Sequence, residues 1–396
     1  MAPQVKILTF TTLYPSAQQP QHGIFVETRL RKLVESGLVS ARVVAPSPWF
    51  PFGSARFGRY AAFAQVPRGE TRHALHIDHP RNPVLPKFGM SAAPLALSAA
   101  ALPLLRRQLR DGQAFDLIDA HYFYPDGVAA VLLGRALGRP VVVTARGSDL
   151  NLIAQYAIPR RWILWAAQHA DGLIAVSSGL KQRLIDLGIA ADRVEVLRNG
   201  VDLALFRPHD RNAERRALGL TRPTLLAVGN LVALKRHRLM IEAVAQMPDV
   251  ELAIVGDGPE RAGLERLARE RRVADRVRFF GRIAQHRLPE IYSAADVLLL
   301  VSTHEGWPNV LLESMACGTP VIVSDLAGIA DIVRAPAVGR ILSEVTPSRL
   351  ADTARDLLAA AVPRAQTQRY AEQFDWQSTT EGQIALFHQI LQRHPR

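Results

Sequence analysis

The chain has 396 residues, 48% of them hydrophobic and 21% charged. That is an ordinary globular balance with length for two sizeable cores, and it excludes a disordered chain. A lone cysteine, Cys317, excludes an intrachain disulfide and fits a reducing compartment. The formal net charge of +12 sits mostly in residues 1–200, where 23 basic residues face 13 acidic ones, against 25 and 23 in residues 201–396. A basic half points to an anionic partner such as lipid headgroups, nucleic acid or an acidic substrate.

In chain order, "MAPQVKILTF" runs directly into a strand-like pattern, and no signal peptide is expected there. "VETRLRKLVESG" follows as a helix, with Val26, Leu30, Leu33 and Val34 at helical spacing and Gly37 as its stop. Glu27 and Glu35 on that helix are expected to be solvated. "ARVVAP", "FDLIDA", "PVVVTA", "GLIAVS" and "VEVL" read as strands, several of them followed by helices. Continuous apolar, β-branched runs suit parallel strands covered on both faces, and the alternation is that of a doubly wound α/β sheet. The longest apolar stretch, residues 92–105, is interrupted by Pro94 and Pro103 and is followed by "RRQLR". It falls short of the ~18–20 residues that span a bilayer. A buried helix and an interfacial helix with its arginines on phosphates both fit it. "PWFPFG", 48–53, adds aromatics near the same charge, or a packed loop.

The pattern restarts at "TLLAVG" and runs through "VELAIVG", "RVRFFG", "DVLLLVS" and "PVIVSD", with helices between. A linker is expected near 200–222, rich in turn formers and charge. One or two amphipathic helices are expected near the C-terminus. Ligands of such sheets collect at the carboxyl ends of the strands, so the polar residues there are the candidates. In the first half these are Gly23 ahead of the first helix, His121 after "FDLIDA", and Arg146 and Asp149 after "PVVVTA". Locally, His121 fits a ligand contact and a structural histidine equally, and Arg146–Asp149 an anion clamp and a surface pair equally. In the second half Asn230 follows "LLAVG", with Lys235 and Arg236 close behind, where cations suit a diphosphate. The GxG of Gly256 and Gly258 lacks the third glycine of a dinucleotide fingerprint.

"HEGWPNVLLESMACGTPVIVSD", 304–325, is the most informative stretch. Pro308 suits a first helical turn, so a helix beginning near Pro308–Asn309 would aim the N–H groups of Asn309, Val310 and Leu311 at a phosphate. Gly306 would allow close approach. Glu305 would lie in the loop before the helix and Glu313 about one turn inside it, one carboxylate on either side of the phosphates.

"EGWPNVLLESMACGTPVIVSDLAG" resembles the family 4 retaining glycosyltransferases, with further likeness in "VLRNGVDLALF", "LLAVGNLVALKRHRLMIEA", "AIVGDGPE" and "AHYFYPDG". "HGIFVETRLRKL", "DAHYFYPDGVAA" and "TARGSDLNLI" look most like bacterial surface-polysaccharide enzymes, including those of teichuronic acid synthesis. The resemblance implies a GT-B α/β fold. It would have a Rossmann-like acceptor domain over 1–200, a Rossmann-like donor domain over 201–370, a cleft between them, and a helix in 371–396 packing back on the first domain. It also implies roles. Glu305 would contact the donor sugar, Glu313 the ribose and Lys235 the diphosphate. The backbone from Trp307 to Val310 would cradle sugar and phosphate, and Ile283 would meet the base. His121 would lie near the reacting sugar, and Gly23 stands where the family often has two glycines. Asn230 replaces the family's arginine partner of the lysine, with Arg236 or Arg146 to compensate. Arg146 replaces a histidine of the family's "HG-x-D" turn.

The expected activity is metal-independent, retaining transfer from a UDP- or GDP-sugar to a lipid-linked or polysaccharide acceptor, without a cofactor. The expected place is the inner face of the cytoplasmic membrane, with the basic half on anionic lipid and no nucleic-acid partner. A sugar-nucleotide epimerase of the same fold and a non-catalytic basic membrane-binding module are the alternatives.

Overall fold

A computed structural model of the chain describes residues 4–50, 52–54, 56, 59–83 and 89–394. Two compact units result. The first gathers residues 1–199 and 377–396, and the second residues 200–376.

The first unit is built on an eight-stranded sheet. Its strands are β1 (Val5–Phe10), β2 (Val39–Val44), β3 (Gly69–Arg72), β4 (Leu75–Asp78), β5 (Leu117–His121), β6 (Val141–Ala145), β7 (Gly172–Ala175) and β8 (Val194–Val196). Their spatial order is β8-β7-β6-β5-β1-β2-β4-β3, all parallel except the β3–β4 hairpin. The expected strands are present. The hairpin is new, because "GETRHALHID" alternates polar and apolar residues along a sheet edge and offers no apolar run. The core holds Val5, Ile7, Leu30, Val43, Ile77, Leu117, Val142 and Ile174 from sheet and first helix. Ile384, Phe387 and Ile390 of the C-terminal helix Gln377–Arg393 complete it.

The helix Ile24–Glu35 buries more than its apolar stripe. Glu27, expected in solvent, is 3% exposed and ion-paired through Oε1 to Arg72 Nε at 2.8 Å. The cross-strand arginine of the unforeseen hairpin is what makes that burial tolerable. Arg29 on the same helix is also buried. The stretch expected over 92–105 is a longer helix, Gly89–Arg110, that runs through both Pro94 and Pro103. Among the described residues it is one helix long and apolar enough to cross a membrane, by length and composition. Pro94, Leu97, Ala101, Leu105 and Gln108 form its buried stripe, whereas Met90 and Leu95 stand 44% and 50% exposed. Pro51 of the "PWFPFG" stretch lies outside the described residues; Trp49 and Phe52 are exposed.

The second unit has six parallel strands: β9 (Thr224–Val228), β10 (Glu251–Val255), β11 (Val277–Gly281), β12 (Val297–Leu300), β13 (Val321–Ser324) and β14 (Gly339–Leu342). Their order is β11-β10-β9-β12-β13-β14. The central strands are buried on both faces, as continuous apolar runs require. The segment expected as a linker contains a helix, Arg211–Leu218, capped by Asp210. Arg215 of that helix reaches Asp296 at 3.2 Å, so the segment belongs to this unit. The chain leaves the unit at Trp376, six residues later than the expected 370, because helix Arg364–Ala371 stays with it and the Val201 N–H holds the Phe374 carbonyl at 2.8 Å. The Arg364 guanidinium donates to the carbonyls of Ser293, Ala295 and Cys317.

Candidate active site

In the second unit the chemistry gathers after β9 and β12. Beyond β12 the backbone N–H of Thr303 donates to the Leu234 carbonyl at 2.9 Å, which sets the loop carrying Glu305 beside the short turn carrying Lys235. Lys235 Nζ lies 2.6 Å from Glu305 Oε1, and both side chains are largely but not wholly buried, at 19% and 13% exposure. Gly229 ends β9 with φ 151° directly under this pair, and a Cβ there would stand 3.6 Å from Lys235 Cε. Gly256 abuts the same turn. A Cβ on it would come within 1.9 Å of the Gly229 carbonyl oxygen, so the GxG packs backbone against backbone and needs no nucleotide to account for it. Asn230 is exposed, and Arg236 is partly exposed in a left-handed turn at φ 53°.

The helix expected near Pro308 spans Asn309–Ala316, with Pro308 as its N-cap. Leu311 N donates to the Pro308 carbonyl. Trp307 is buried; Gly306, Asn309, Val310 and Ile283 are partly exposed. The helix offers its positive end on the same side as Lys235 and Glu305, because Glu305 lies only four residues upstream. Glu313 stands one turn inside. Its Oε2 accepts the hydroxyl of buried Tyr292 at 2.8 Å. Burial pushes the Glu313 carboxyl up to about 7, and the Tyr292 hydrogen bond acts against that rise.

In the first unit the expected residues enter a buried polar network. His121 is fully buried at the end of β5, and Arg146 follows β6 at 8% exposure. Arg146 Nη2 lies 2.7 Å from His121 Nδ1, and Arg146 Nη1 donates to Asn199 Oδ1 at 3.1 Å. Arg29 donates to the same Asn199 oxygen, to the Leu197 carbonyl and, through Nε at 2.7 Å, to Gln383 Oε1. Gln383 in turn donates to Asp119 Oδ2 at 3.0 Å. Burial and the neighbouring charge of Arg29 weaken the hold of Arg146 on its proton, opposed by Asp119 and Asp149. The guanidinium nonetheless stays a cation at physiological pH.

Asp149 is neither half of a surface pair nor exposed. Its carboxylate accepts the backbone N–H groups of Phe123, Arg146, Gly147 and Leu150 and so ties the two strand-end turns together. One of the turns it holds begins at Tyr122, a non-glycine residue at φ 83° whose hydroxyl meets Ser148 Oγ at 2.8 Å. Gly23 has a local reason to be glycine: at φ 69° a Cβ would fall 2.2 Å from the Leu13 carbonyl oxygen. Sequence reasoning missed Asp119, Arg29, Asn199, Gln383 and Tyr292. A signal existed only for Arg29, which sits at i−1 to Leu30 and i+3 to Val26 on the apolar face.

Residues 56–205 match the model described as Glycosyltransferase Family 4, and residues 210–374 the model described as Glycosyl transferases group 1. The putative teichuronic acid biosynthesis glycosyltransferase TuaC of Bacillus subtilis is 30% identical over 335 residues, covering 83% of each chain. The chain belongs to the family 4 glycosyltransferases. The D-inositol 3-phosphate glycosyltransferase of Mycobacterium tuberculosis is likewise 30% identical, over 75% of this glycosyltransferase and 67% of its own length. Among solved structures, sucrose-phosphate synthase from Thermosynechococcus elongatus superposes with a TM-score of 0.80 at 21% identity, covering 98% of this chain and 100% of its own. Anabaena Alr3699/HepE in complex with UDP-glucose gives 0.73 at 21% identity, covering 96% and 98%. The lipopolysaccharide glycosyltransferase WaaG gives 0.68 at 18% identity, covering 97% and 99%. These likenesses establish the GT-B fold.

Proposed function

We propose that this glycosyltransferase moves a sugar from a nucleoside diphosphate sugar to a hydroxyl of a lipid-linked or polysaccharide acceptor in cell-envelope glycan synthesis. Transfer retains the configuration of the sugar carbon and needs no metal. The observation that carries the reading is the Lys235–Glu305 pair at 2.6 Å, four residues ahead of a helix N-terminus. Lys235 and the N-terminal end of helix Asn309–Ala316 take the diphosphate. Glu305 turns to the sugar hydroxyls, Glu313 accepts from the ribose, and Asn230, Arg236, Gly306, Trp307 and Ile283 complete the donor pocket. The name of the Bacillus subtilis relative supports a glycan acceptor, and the neighbour holding UDP-glucose supports a uridine nucleotide among the donors.

In the reaction the bond from the sugar carbon to the diphosphate oxygen breaks and one to the acceptor oxygen forms on the same face. The acceptor proton ends on the departing diphosphate. Negative charge grows on that diphosphate in the transition state, where Lys235 and the helix end face it without rearranging. Glu305 positions the sugar and forms no covalent bond. Screening UDP- and GDP-sugars by thermal shift, then assaying transfer with and without EDTA, tests the reading. No donor that raises the melting temperature would refute it, and loss of transfer in EDTA would refute its metal independence.

The basic first unit supports a place on the inner face of the cytoplasmic membrane. Helix Gly89–Arg110 exposes Met90 and Leu95 and ends among Arg106, Arg107 and Arg110, the pattern of an interfacial helix. Flotation with anionic liposomes is expected at low salt and reduced at high salt. Absence of binding at low salt would reject the membrane placement and leave the transfer chemistry standing.

A further inference from the structure

The turn that follows β6 holds an arginine where the resembling family has a histidine, and the structure gives that difference a chemical meaning. Arg146 Nη2 stands 2.7 Å from His121 Nδ1. A guanidinium carries donors and no acceptor, so Nδ1 must be the accepting nitrogen. The ring is then neutral and its proton sits on Nε2. Nε2 faces Asp119 Oδ2 at 3.3 Å, a long contact short of a well-formed hydrogen bond, so its hydrogen is only loosely held inside a fully buried side chain.

We propose that Arg146 is a positioning residue that fixes His121 as a neutral Nε2–H donor, so that His121 gives a hydrogen bond to an oxygen and does not act as a base. The guanidinium cannot swing away to release the ring. Its Nη1 is held by Asn199 Oδ1 at 3.1 Å and its backbone N–H by the Asp149 carboxylate. Asn199 and Gln383 also anchor Arg29, so the frame around the ring comes from the first helix, two strand ends and the C-terminal helix. The charged groups facing the imidazole are Asp119 on its own strand, Arg146 beyond the neighbouring strand and Arg29 from helix Ile24–Glu35. Burial brings His121 down to about 4, with Asp119 acting against it and the two arginines in favour. A histidine at position 146 could donate or accept and would leave the ring's tautomer open; an arginine leaves one choice.

The catalytic consequence rests on the glycosyltransferase reading above. A histidine locked in this form removes no proton from the acceptor hydroxyl, and the proton's route to the departing diphosphate is left as the one consistent with the chain.

The experiment uses the full chain labelled with ¹⁵N-histidine, observed by long-range ¹H–¹⁵N correlation from pH 5.5 to 8.5. The His121→Asn variant assigns the ring by the signal it lacks. The expected spectrum is the neutral Nε2–H pattern, unchanged across the range and retained in Arg146→Lys, whose ammonium also only donates. A Nδ1–H pattern in the unmodified protein or in Arg146→Lys, or a titration near 6.5, would overturn the proposal. Arg146→Met frees the ring. A new acidic limb in its kcat/KM profile, absent from the unmodified enzyme, is expected, and an unaltered tautomer together with an unaltered profile would sink the positioning role. Should Arg146→Met fail to fold, the spectra of the unmodified chain and Arg146→Lys decide the matter. Failure to find any donor refutes the transferase reading without touching the tautomer result.

Discussion

The two units hold their polar chemistry in opposite ways. In the second, Lys235 and Glu305 keep part of their surface in contact with solvent, and a backbone hydrogen bond from Thr303 to Leu234 sets their loops side by side. In the first, His121, Arg146, Asp119, Arg29 and Asp149 are buried and bound to one another or to backbone. A pair with partial access to solvent can exchange partners when a ligand arrives, whereas a fully buried network fixes a geometry and makes each member costly to remove. Substitutions in the first unit should therefore read out as stability, and those in the second as binding and rate.

The largest effect is expected for Asp149→Ala. It strips the carboxylate acceptor from the N–H groups of Phe123, Arg146 and Gly147 and leaves Leu150 N–H only the Gly147 carbonyl, and a loss of about 4 kcal/mol or more in urea unfolding follows. Asp149→Asn keeps one acceptor oxygen and should lose roughly half as much. An Asp149→Ala chain as stable as the parent would break the contrast at its root.

Lys235→Met should leave the melting temperature nearly unchanged and lower kcat by roughly two to three powers of ten, the scale of one lost transition-state donor. A tenfold change corresponds to about 1.4 kcal/mol. An equally large drop in stability would show that the pair is structural.

Glu313 gives a pH effect of intermediate size. Its folded value, about 7, lies above the ordinary 4.5. The group therefore favours the folded state fully below about 4.5, and that contribution is lost as pH rises through about 7. Urea unfolding of the parent and Glu313→Gln between pH 5 and 8 measures it, and the parent should lose stability relative to the variant as pH rises. Under the proposed function nucleotide binding runs the other way, since ribose hydroxyls would donate to the ionised carboxylate. UDP affinity should rise up to about tenfold from pH 6 to 8. Glu313→Gln should keep only the part owed to the second phosphate ionisation, near 6.

The smallest effect is also the least intuitive. Under the proposed function Glu305 would compete with a diphosphate for Lys235, so Glu305→Gln should bind UDP about threefold more tightly in calorimetry while transferring sugar poorly. A partly exposed pair is worth about 0.5–1 kcal/mol, which sets that size. Weaker UDP binding in the variant would mean that Glu305 holds the lysine in place for the nucleotide.

Legibility in the sequence followed the same divide. Apolar runs such as "TLLAV" and "VVVTA" announced their strands because burial on both faces leaves few other choices. The helix at Asn309 was readable from Pro308, and the loop position of Glu305 from the strand before it. The β3–β4 hairpin was not, because a sheet edge needs only alternation, and its tight turn at His73 and Ala74 uses positive φ without glycine. With the hairpin hidden, Arg72 had no place, and Glu27 looked like any solvated glutamate on a helix. The buried network was illegible for a related reason. Arg29, Asp119, Asn199 and Gln383 are joined across 354 residues of chain, and no spacing rule reaches that far. Asp119 lies inside an apolar strand run, and nothing in "FDLIDA" shows that the Gln383 amide reaches it.

The helix Gln377–Arg393 bears on how the molecule is made. Gln383 closes hydrogen bonds to both Arg29 and Asp119, and Phe387 sits in the core of the first unit. On the ribosome, residues 200–376 emerge before that helix does. The unit synthesised first must wait, with Arg29 and Asp119 each short of the Gln383 hydrogen bond and an apolar face open, while the whole of the second is produced. Nascent chains halted before residue 377 are therefore natural clients for chaperones, and supplying 377–394 as a separate peptide should rescue them.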